Sequence, residues 1–375
     1  MKIGRDSKTA EQNRERVLLV AAVDAKTRRW QAIQSLDELA SLTSTAGGTV
    51  VESFMQVRRR FDPATLLGIG KAQELAGISR QLDIDLLIFD TELSAAQIRN
   101  IEEIVGVRVI DRTTLILDIF SKHARTKEAK LQVELAQLEY RLPRLVGKGL
   151  EFSRLGGGIG TRGPGEKKLE VDRRRIKERI ATLKRMSKKI EHSKEVQRKR
   201  RAEIPKIAVI GYTNAGKSSL VNALTRARLV TSDQLFSTLD SNTNVLFVPP
   251  KYRMLISDTV GFLRNLPHGL IASFHATLAE VLEADMLIHI VDTAAEDMEE
   301  KIVTVNNVLE EIGADKKPRM LVFNKVDRVF DEDKERCGRK YPESFFVSAT
   351  KNVGLDILKE NLRRYFYDTQ KSGTS

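Results

Sequence analysis

Two glycine loops in this chain have spacings that could cradle phosphate. "GYTNAGKSS" holds Gly211-x-x-x-x-Gly216-Lys217-Ser218, and "LGGGIGTRGPGE" holds Gly158-x-Gly160-x-x-Gly163. In the first, Tyr212 and Thr213 lead into a run of backbone N–H groups, from Asn214, Ala215 and Gly216 to Lys217, Ser218 and Ser219. That run can surround a β-phosphate at the positive end of a helix. Lys217 brings a cation between the β- and γ-phosphates, and the Ser218 hydroxyl suits Mg²⁺. The flanks are those the loop requires, an apolar strand "KIAVIG" (206–211) before it and a helical "SSLVNALTR" (218–226) after it. The second loop follows "PRLVGKGLEFSR", which ends a helix and gives no buried strand. A dinucleotide site needs such a strand, so the first loop is read as the phosphate site.

Three later motifs complete a pocket. Asp258-Thr259-Val260-Gly261 follows the apolar "RMLIS", and there Asp258 suits Mg²⁺ and the Gly261 amide a γ-phosphate. Asn324-Lys325-Val326-Asp327 follows "RMLVF". The Asp327 carboxylate can accept from guanine N1–H and N2–H₂, a pair that adenine lacks, so rejection of adenine leaves a charge half-satisfied. Ser348-Ala349-Thr350 closes the base pocket. The expected ligands are GTP or GDP with Mg²⁺, the metal held by Ser218, Asp258 and a switch threonine. Thr238 in "FSTLDSNTN" is the choice for that threonine, with Thr231 as runner-up. Lys217, Gly261 and Thr238 form the expected catalytic set.

Two positions bear on hydrolysis. Ras-like proteins carry a water-orienting glutamine just after the glycine of DxxG, whereas this chain has Phe262. An apolar side chain cannot orient water, so slow intrinsic turnover completed from elsewhere is expected. Asn214 stands where some related GTPases bind K⁺, and that reading stands level with a loop-shaping one. His268, His275 and His289 lack metal-ligand spacing, and His289 within "MLIHIVD" reads as a packing residue.

The elements that must hold these residues fall into three regions. Residues 205–375 alternate the strands above, with "NVLFV" and "SFFVSA", with helical stretches, the rhythm of a mostly parallel sheet wrapped by helices. Residues 1–113 read as a separate α/β domain with strands "RVLLVAAV" (16–23), "DLLIFD" (85–90) and "VRVI" (107–110). Its helices are "GKAQELAGISRQL" and a "SAAQIRNIEEIV" capped by Ser94, and Gly68-x-Gly70-Lys71 reads as the start of a helix. Between the two domains, 114–204 is helical. Leu131, Leu135, Leu138, Leu142 and Leu145 form one seam, and Leu169, Ile176, Leu183 and Ile190 form another. The glycine-rich 147–165 joins them, so an antiparallel hairpin with a flexible tip is expected.

Charge singles out that hairpin. Residues 121–206 hold 26 Lys/Arg against 11 Asp/Glu, a balance of +15 in a chain whose net charge is +12, so the rest stands at −3. A basic stripe with Arg154, Arg162, Lys167 and Lys168 around a glycine tip suits folded RNA. Cys337 is the one cysteine and reads as a bystander in a polar loop of a protein from a reducing compartment. With no span of ~18 apolar residues and no signal peptide, the expected location is cytoplasmic. Basic helices leave room for partial membrane association, with no obligate membrane.

Together "GYTNAGKSSL", "FSTLD", "DTVGF" and "NKVD" with "LIFDTELSAAQIRNIE", "VIDRTTLILDIF", "HARTKEAKLQVELAQLEYRLPRL" and "GGGIGTRGPGE" resemble the HflX family of ribosome-associated GTPases, in the Obg-HflX-like superfamily. The resemblance covers nearly the whole chain. It implies a GTPase, monomeric when free, that binds the large ribosomal subunit and rRNA, separates or rescues stalled ribosomes under stress, and is stimulated by ribosomal particles. It also implies ATP use by the N-terminal domain, for which 1–112 offers no locatable site. The sequence departs from the family pattern at switch I, where TLDPTTR is replaced by Thr238-Leu239-Asp240-Ser-Asn-Thr-Asn, in the altered turn "TLLGIGK", and in ending one helix after Ser348-Ala349 where many members have a further domain. The alternatives are a subunit-assembly GTPase and an RNA-binding or remodelling protein that uses GTP as a conformational switch.

Overall fold

The computed structural model describes residues 14–145, 164–199, 204–225, 227, 229, 235–236, 242–249, 251–264 and 275–368. They group into two compact units, Met1–Lys122 with Leu131–Met186, and His123–Lys130 with Ser187–Ser375.

The first unit is built on a four-stranded parallel sheet in the order β2-β1-β3-β4. These strands are β1 (Arg16–Asp24), β2 (Thr49–Arg58), β3 (Leu86–Phe89) and β4 (Arg108–Asp111). The interior of β1 is wholly buried, as expected for a strand covered on both faces. β2 is an edge strand with a mixed burial pattern, so its residues lack the apolar run that marks the other three. Helix α1 (Arg29–Ala46) stops at Gly47, whose φ of 94° makes a left-handed cap. Helices α2 (Ile69–Gln81) and α3 (Ala95–Val105) bury Leu75, Ala76, Ile101 and Val105 with Leu18, Val20, Leu87 and Phe89 of the sheet. Ser94 caps α3 as its sequence predicts, its hydroxyl accepting from the Gln97 N–H. Gly68 directly precedes α2, as expected of the start of a helix.

Helix α4 (Arg112–His123) begins directly at the end of β4 and buries Leu115, Ile116, Ile119 and Phe120. At its first residue Arg112, 2% exposed, pairs with Asp90 at 2.7 Å and with Glu38. Burial raises the Asp90 carboxyl above its ordinary value, against the hydrogen bond from Ser35. Helix α5 (Lys127–Arg144) is anchored by its last turn. Arg144 reaches the buried Asp111 at 3.1 Å and the Leu93 carbonyl at 3.0 Å, and the Tyr140 hydroxyl donates to Asp111. Burial and the Asp111 charge raise the Tyr140 phenol.

Helix α6 (Pro164–Lys199) packs on α5 through Leu131, Leu135, Leu138 and Leu142 against Ile176, Ile180 and Leu183. Ile180, absent from the sequence seam, fills the position between its two heptad neighbours. Arg179 clasps Glu134 at 2.7 and 2.8 Å, and Lys184 meets Glu139 at 2.8 Å. Each ion pair joins like flanks of the two seams, g to g′ and e to e′, as antiparallel helices do; parallel ones would join g to e′. Pro164 and Gly165, expected in the tip loop, form the first turn of α6, where a proline needs no N–H. The rest of the tip, with Gly158, Gly160, Gly163, Arg154 and Arg162, lies outside the described residues.

The second unit carries a six-stranded sheet in the order β10-β9-β8-β5-β7-β6. Its strands are β5 (Lys206–Gly211), β6 (Asn242–Val248), β7 (Tyr252–Asp258), β8 (Met286–Asp292), β9 (Arg319–Asn324) and β10 (Phe345–Phe346). All pairings are parallel except that of β6 with β7. On one face Ile207, Val209, Ile256, Ile288 and Val322 pack with Leu220 and Val221 of α7 (Lys217–Thr225) and Leu358 of α11 (Leu355–Arg363). On the other, Ala208, Ile210 and Leu287 meet Leu278 and Val281 of α8 (His275–Glu283) and Val305 and Leu309 of α9 (Met298–Glu311). Cys337 corrects its expectation: it lies within α10 (Asp331–Lys340), buried beside Phe323 and Ile302, because its helix turns it inward between charged neighbours. Burial raises its thiol above the usual value.

Candidate guanine-nucleotide site

The motifs converge because each follows the carboxyl end of a strand in one sheet, the edge where open α/β sheets bind ligands. Gly211–Ser218 follows β5, Asp258–Gly261 ends β7, Asn324–Asp327 ends β9, and Ser348–Thr350 follows β10. β5 lies between β7 and β8, so the phosphate loop sits between the acidic motif and the base-reading ones.

The phosphate loop is held from several sides. Phe262 N–H donates to Gly211 O at 3.1 Å, and Thr213 N–H donates to Phe262 O at 2.9 Å. Asn214 is exposed with φ 59°, a left-handed conformation that Asn tolerates better than most residues. Gly216 has φ 94°, and a Cβ there would stand 2.3 Å from Asn324 Nδ2. That amide is needed where it is, since it donates to Ala215 O at 2.9 Å while its Oδ1 accepts from Ala349 N–H at 3.0 Å. One buried side chain thus ties the phosphate loop to the base-reading turn.

Lys217 is buried, its Nζ donating to Tyr212 O at 2.9 Å and Gly211 O at 3.3 Å. Burial pushes its pKa down to about 8, opposed by the charge of Asp258. A Cβ on Gly261 would lie 2.9 Å from that Nζ, so only glycine leaves room beside the lysine. The Ser218 hydroxyl donates to Asp258 Oδ2 at 2.6 Å, and both side chains are buried. Two hard oxygen donors meeting at the start of a helix fit Mg²⁺. Thr259 is turned away, donating to Val209 O at 2.6 Å, and Val260 connects it to Gly261. Thr238 and Thr231 lie outside the described residues.

At the base-reading end Ser348 is fully buried, and its hydroxyl donates to Asp327 Oδ1 at 2.5 Å. That hydrogen bond, first among its causes, holds the Asp327 carboxyl below its ordinary value. Thr350 Oγ1 lies 3.3 Å from the same hydroxyl. Lys325, with φ 63°, donates to Asn214 O at 2.8 Å and pairs with Asp292 at 2.7 Å. Asp292, through this pair, adjoins the candidate site, and the sequence reading missed it; its signal is an acid ending an apolar strand next to β5 in the sheet. Tyr212, also buried, accepts the Arg264 N–H on its hydroxyl at 3.0 Å.

Phe262 is 3% exposed and packs among Ala208, Ile210, Leu278 and Val281. It is a core residue pinned by the two backbone bonds to the phosphate loop. His289 is also in the interior, as expected, with burial driving its pKa down to about 3. Among the described residues no group of three or more His, Cys, Asp or Glu side chains could hold a metal by itself.

Three family descriptions match in sequence. Residues 33–121 match "GTP-binding GTPase N-terminal", 123–201 "GTP-binding GTPase Middle Region", and 206–325 "50S ribosome-binding GTPase". The GTPase HflX of Caldanaerobacter subterraneus subsp. tengcongensis is 45% identical over 357 residues, 95% of this chain and 81% of that protein. The chain belongs to the HflX family of GTPases. The Escherichia coli HflX is 42% identical, over 88% of this chain and 78% of its own length. In structure the chain is similar to SsGBP solved as a complex with GDP, with a TM-score of 0.51 and 26% identity over 96% of this chain and 99% of that one. Guanine-nucleotide binding and GTP hydrolysis therefore stand with the family. No helix among the described residues is long and apolar enough to cross a membrane.

Proposed function

We propose that the protein binds GTP with Mg²⁺ in this pocket, engages the large ribosomal subunit through its basic helix pair, and uses hydrolysis to dissociate or rescue ribosomes. The observation that carries this reading is the coincidence of a guanine-reading P-loop site with a +15 segment at 121–206. The "50S ribosome-binding GTPase" description matched by 206–325 supports the same partner.

Within the pocket, Lys217 would hold the β- and γ-phosphates, and Gly261 leaves the space for them. Ser218 and Asp258 would hold Mg²⁺, with Thr238 as the third donor; the metal, when bound, offsets phosphate charge in the transition state. Asp327, fixed by Ser348, would read guanine. The burial of Phe262 supports a hydrolysis step that is slow unaided, since no side chain from that position reaches toward attacking water. The stimulus would come from the ribosomal particle, with K⁺ at Asn214 as a further contribution.

Sucrose-gradient sedimentation tests the reading. Intact ribosomes incubated with the protein and GTP should separate into subunits, with the protein on the large one. Binding confined to immature precursor particles would favour an assembly role instead.

A further inference from the structure

Half of the positive charge of the first unit's sheet region is gathered in eleven residues that the proposed function does not use. Residues 14–111 contain 12 Lys/Arg and 14 Asp/Glu, so the region as a whole is slightly acidic. Six of those cations, Lys26, Arg28, Arg29, Arg58, Arg59 and Arg60, lie in 25–30 and 57–61, which contain no acid. The two stretches are neighbours in space. They leave the ends of the paired strands β1 and β2, where Asp24 stands opposite Arg58 and Ala25 N–H donates to Arg58 O at 3.0 Å.

Arg58 is engaged within the fold, its guanidinium donating to the Leu67 carbonyl. The other five cations are exposed, and none has an ion-pair partner among the described residues. The nearest acids in sequence are turned to their own backbone. Asp24 accepts from Lys26 N–H at 2.9 Å, and one Asp62 oxygen accepts from both Ala64 and Thr65 N–H at 2.8 Å. Each basic stretch ends in an aromatic residue left in solvent, Trp30 at 38% exposure and Phe61 at 42%.

We propose that this end of the β1–β2 edge is a binding surface for single-stranded RNA. Unpaired cations supply phosphate contacts, and an exposed aromatic at the end of each stretch offers a face on which an unpaired base stacks. A duplex keeps its bases stacked on each other and would use only the charges. The inference stands apart from the nucleotide site and from the basic helix pair.

Trp30 is the only tryptophan in the chain, so its fluorescence reports from the surface itself. The full-length protein is titrated with a 12-nucleotide single-stranded RNA of mixed sequence. Binding is followed in parallel by anisotropy of the same RNA carrying a dye. The Arg173→Ala/Arg174→Ala/Arg175→Ala variant is run beside it to weaken the α6 contribution. Saturable quenching of Trp30 is expected in both proteins. An Arg59→Gln/Arg60→Gln variant with unchanged melting temperature should bind about tenfold more weakly, with its log–log salt slope reduced by about 1.4 for two lost phosphate contacts. Heparin, a polyanion without bases, should bind without quenching. RNA binding that leaves Trp30 emission unchanged would overturn the proposal. So would an Arg59→Gln/Arg60→Gln variant that binds like the parent, or quenching that appears only on adding ribosomal proteins.

Discussion

Replacing Phe262 with glutamine restores, in sequence, the residue that Ras-like GTPases place after DxxG, and the structure predicts that it will not restore its function. The Phe262 backbone is fixed on both sides by Gly211 O and Thr213 N–H, and its ring is packed among Ala208, Ile210, Leu278 and Val281. Emptying such a ring site costs about 3–5 kcal/mol. Glutamine refills part of the volume but buries an amide without partners, adding about 1–3 kcal/mol. A net loss of about 3–5 kcal/mol follows, and at 2–4 °C per kcal/mol for a domain of this size the melting temperature should fall by roughly 10 °C. Differential scanning of the GDP-loaded protein measures that fall, and phosphate release measures turnover, which should not rise. A Phe262→Gln protein as stable as the parent that hydrolyses GTP faster would refute the reasoning, because the side chain would then face the γ-phosphate.

The other predictions concern charge. Asp327→Asn removes a charged acceptor from the guanine edge and should weaken GDP binding by about 10–100-fold, the equivalent of 1.5–3 kcal/mol; xanthosine nucleotide, which accepts at that edge, should regain affinity in a competition assay. Nucleotide phosphates favour the protonated Lys217, whose pKa in the free protein lies at about 8. Affinity for GDP should therefore be flat below pH 8 and fall above it, by up to tenfold per pH unit, in a fluorescent-nucleotide titration; a flat profile to pH 9.5 would contradict the burial argument. Replacing the exposed Arg173, Arg174 and Arg175 of α6 by alanine should weaken binding to large ribosomal subunits and flatten its salt dependence in co-sedimentation.

Much of the site was legible because it depends on local pattern. A P-loop is a strand, a glycine turn and a helix within some twenty residues, and each later motif ends an apolar run. What the sequence hid depends on packing between distant segments. The Asn324 side chain joins Ala215 to Ala349, 109 and 25 residues away, and its motif says nothing of this. Phe262 could be read as unable to orient water, but not as a core residue. Arg112 stands in the basic-acidic "VIDRTT" and gives no sign that it is buried between Asp90 and Glu38. The edge strand β2 and helix α1 were not separated from their surroundings, because an edge strand carries a mixed pattern. Cys337 sits among charged residues that suggest a loop, yet it is the one residue of that short helix turned into the interior, where Phe323 and Ile302 of other elements cover it.

The central claim is a GTPase whose hydrolysis is completed by the large ribosomal subunit. It is tested most directly by GTP turnover of the pure protein, alone and with purified large subunits, in KCl and in NaCl. The account predicts slow turnover alone and strong stimulation by the subunits in either salt, with any added effect of K⁺ assigned to Asn214. Full activity without subunits, or no response to them while GTP remains bound, would contradict it.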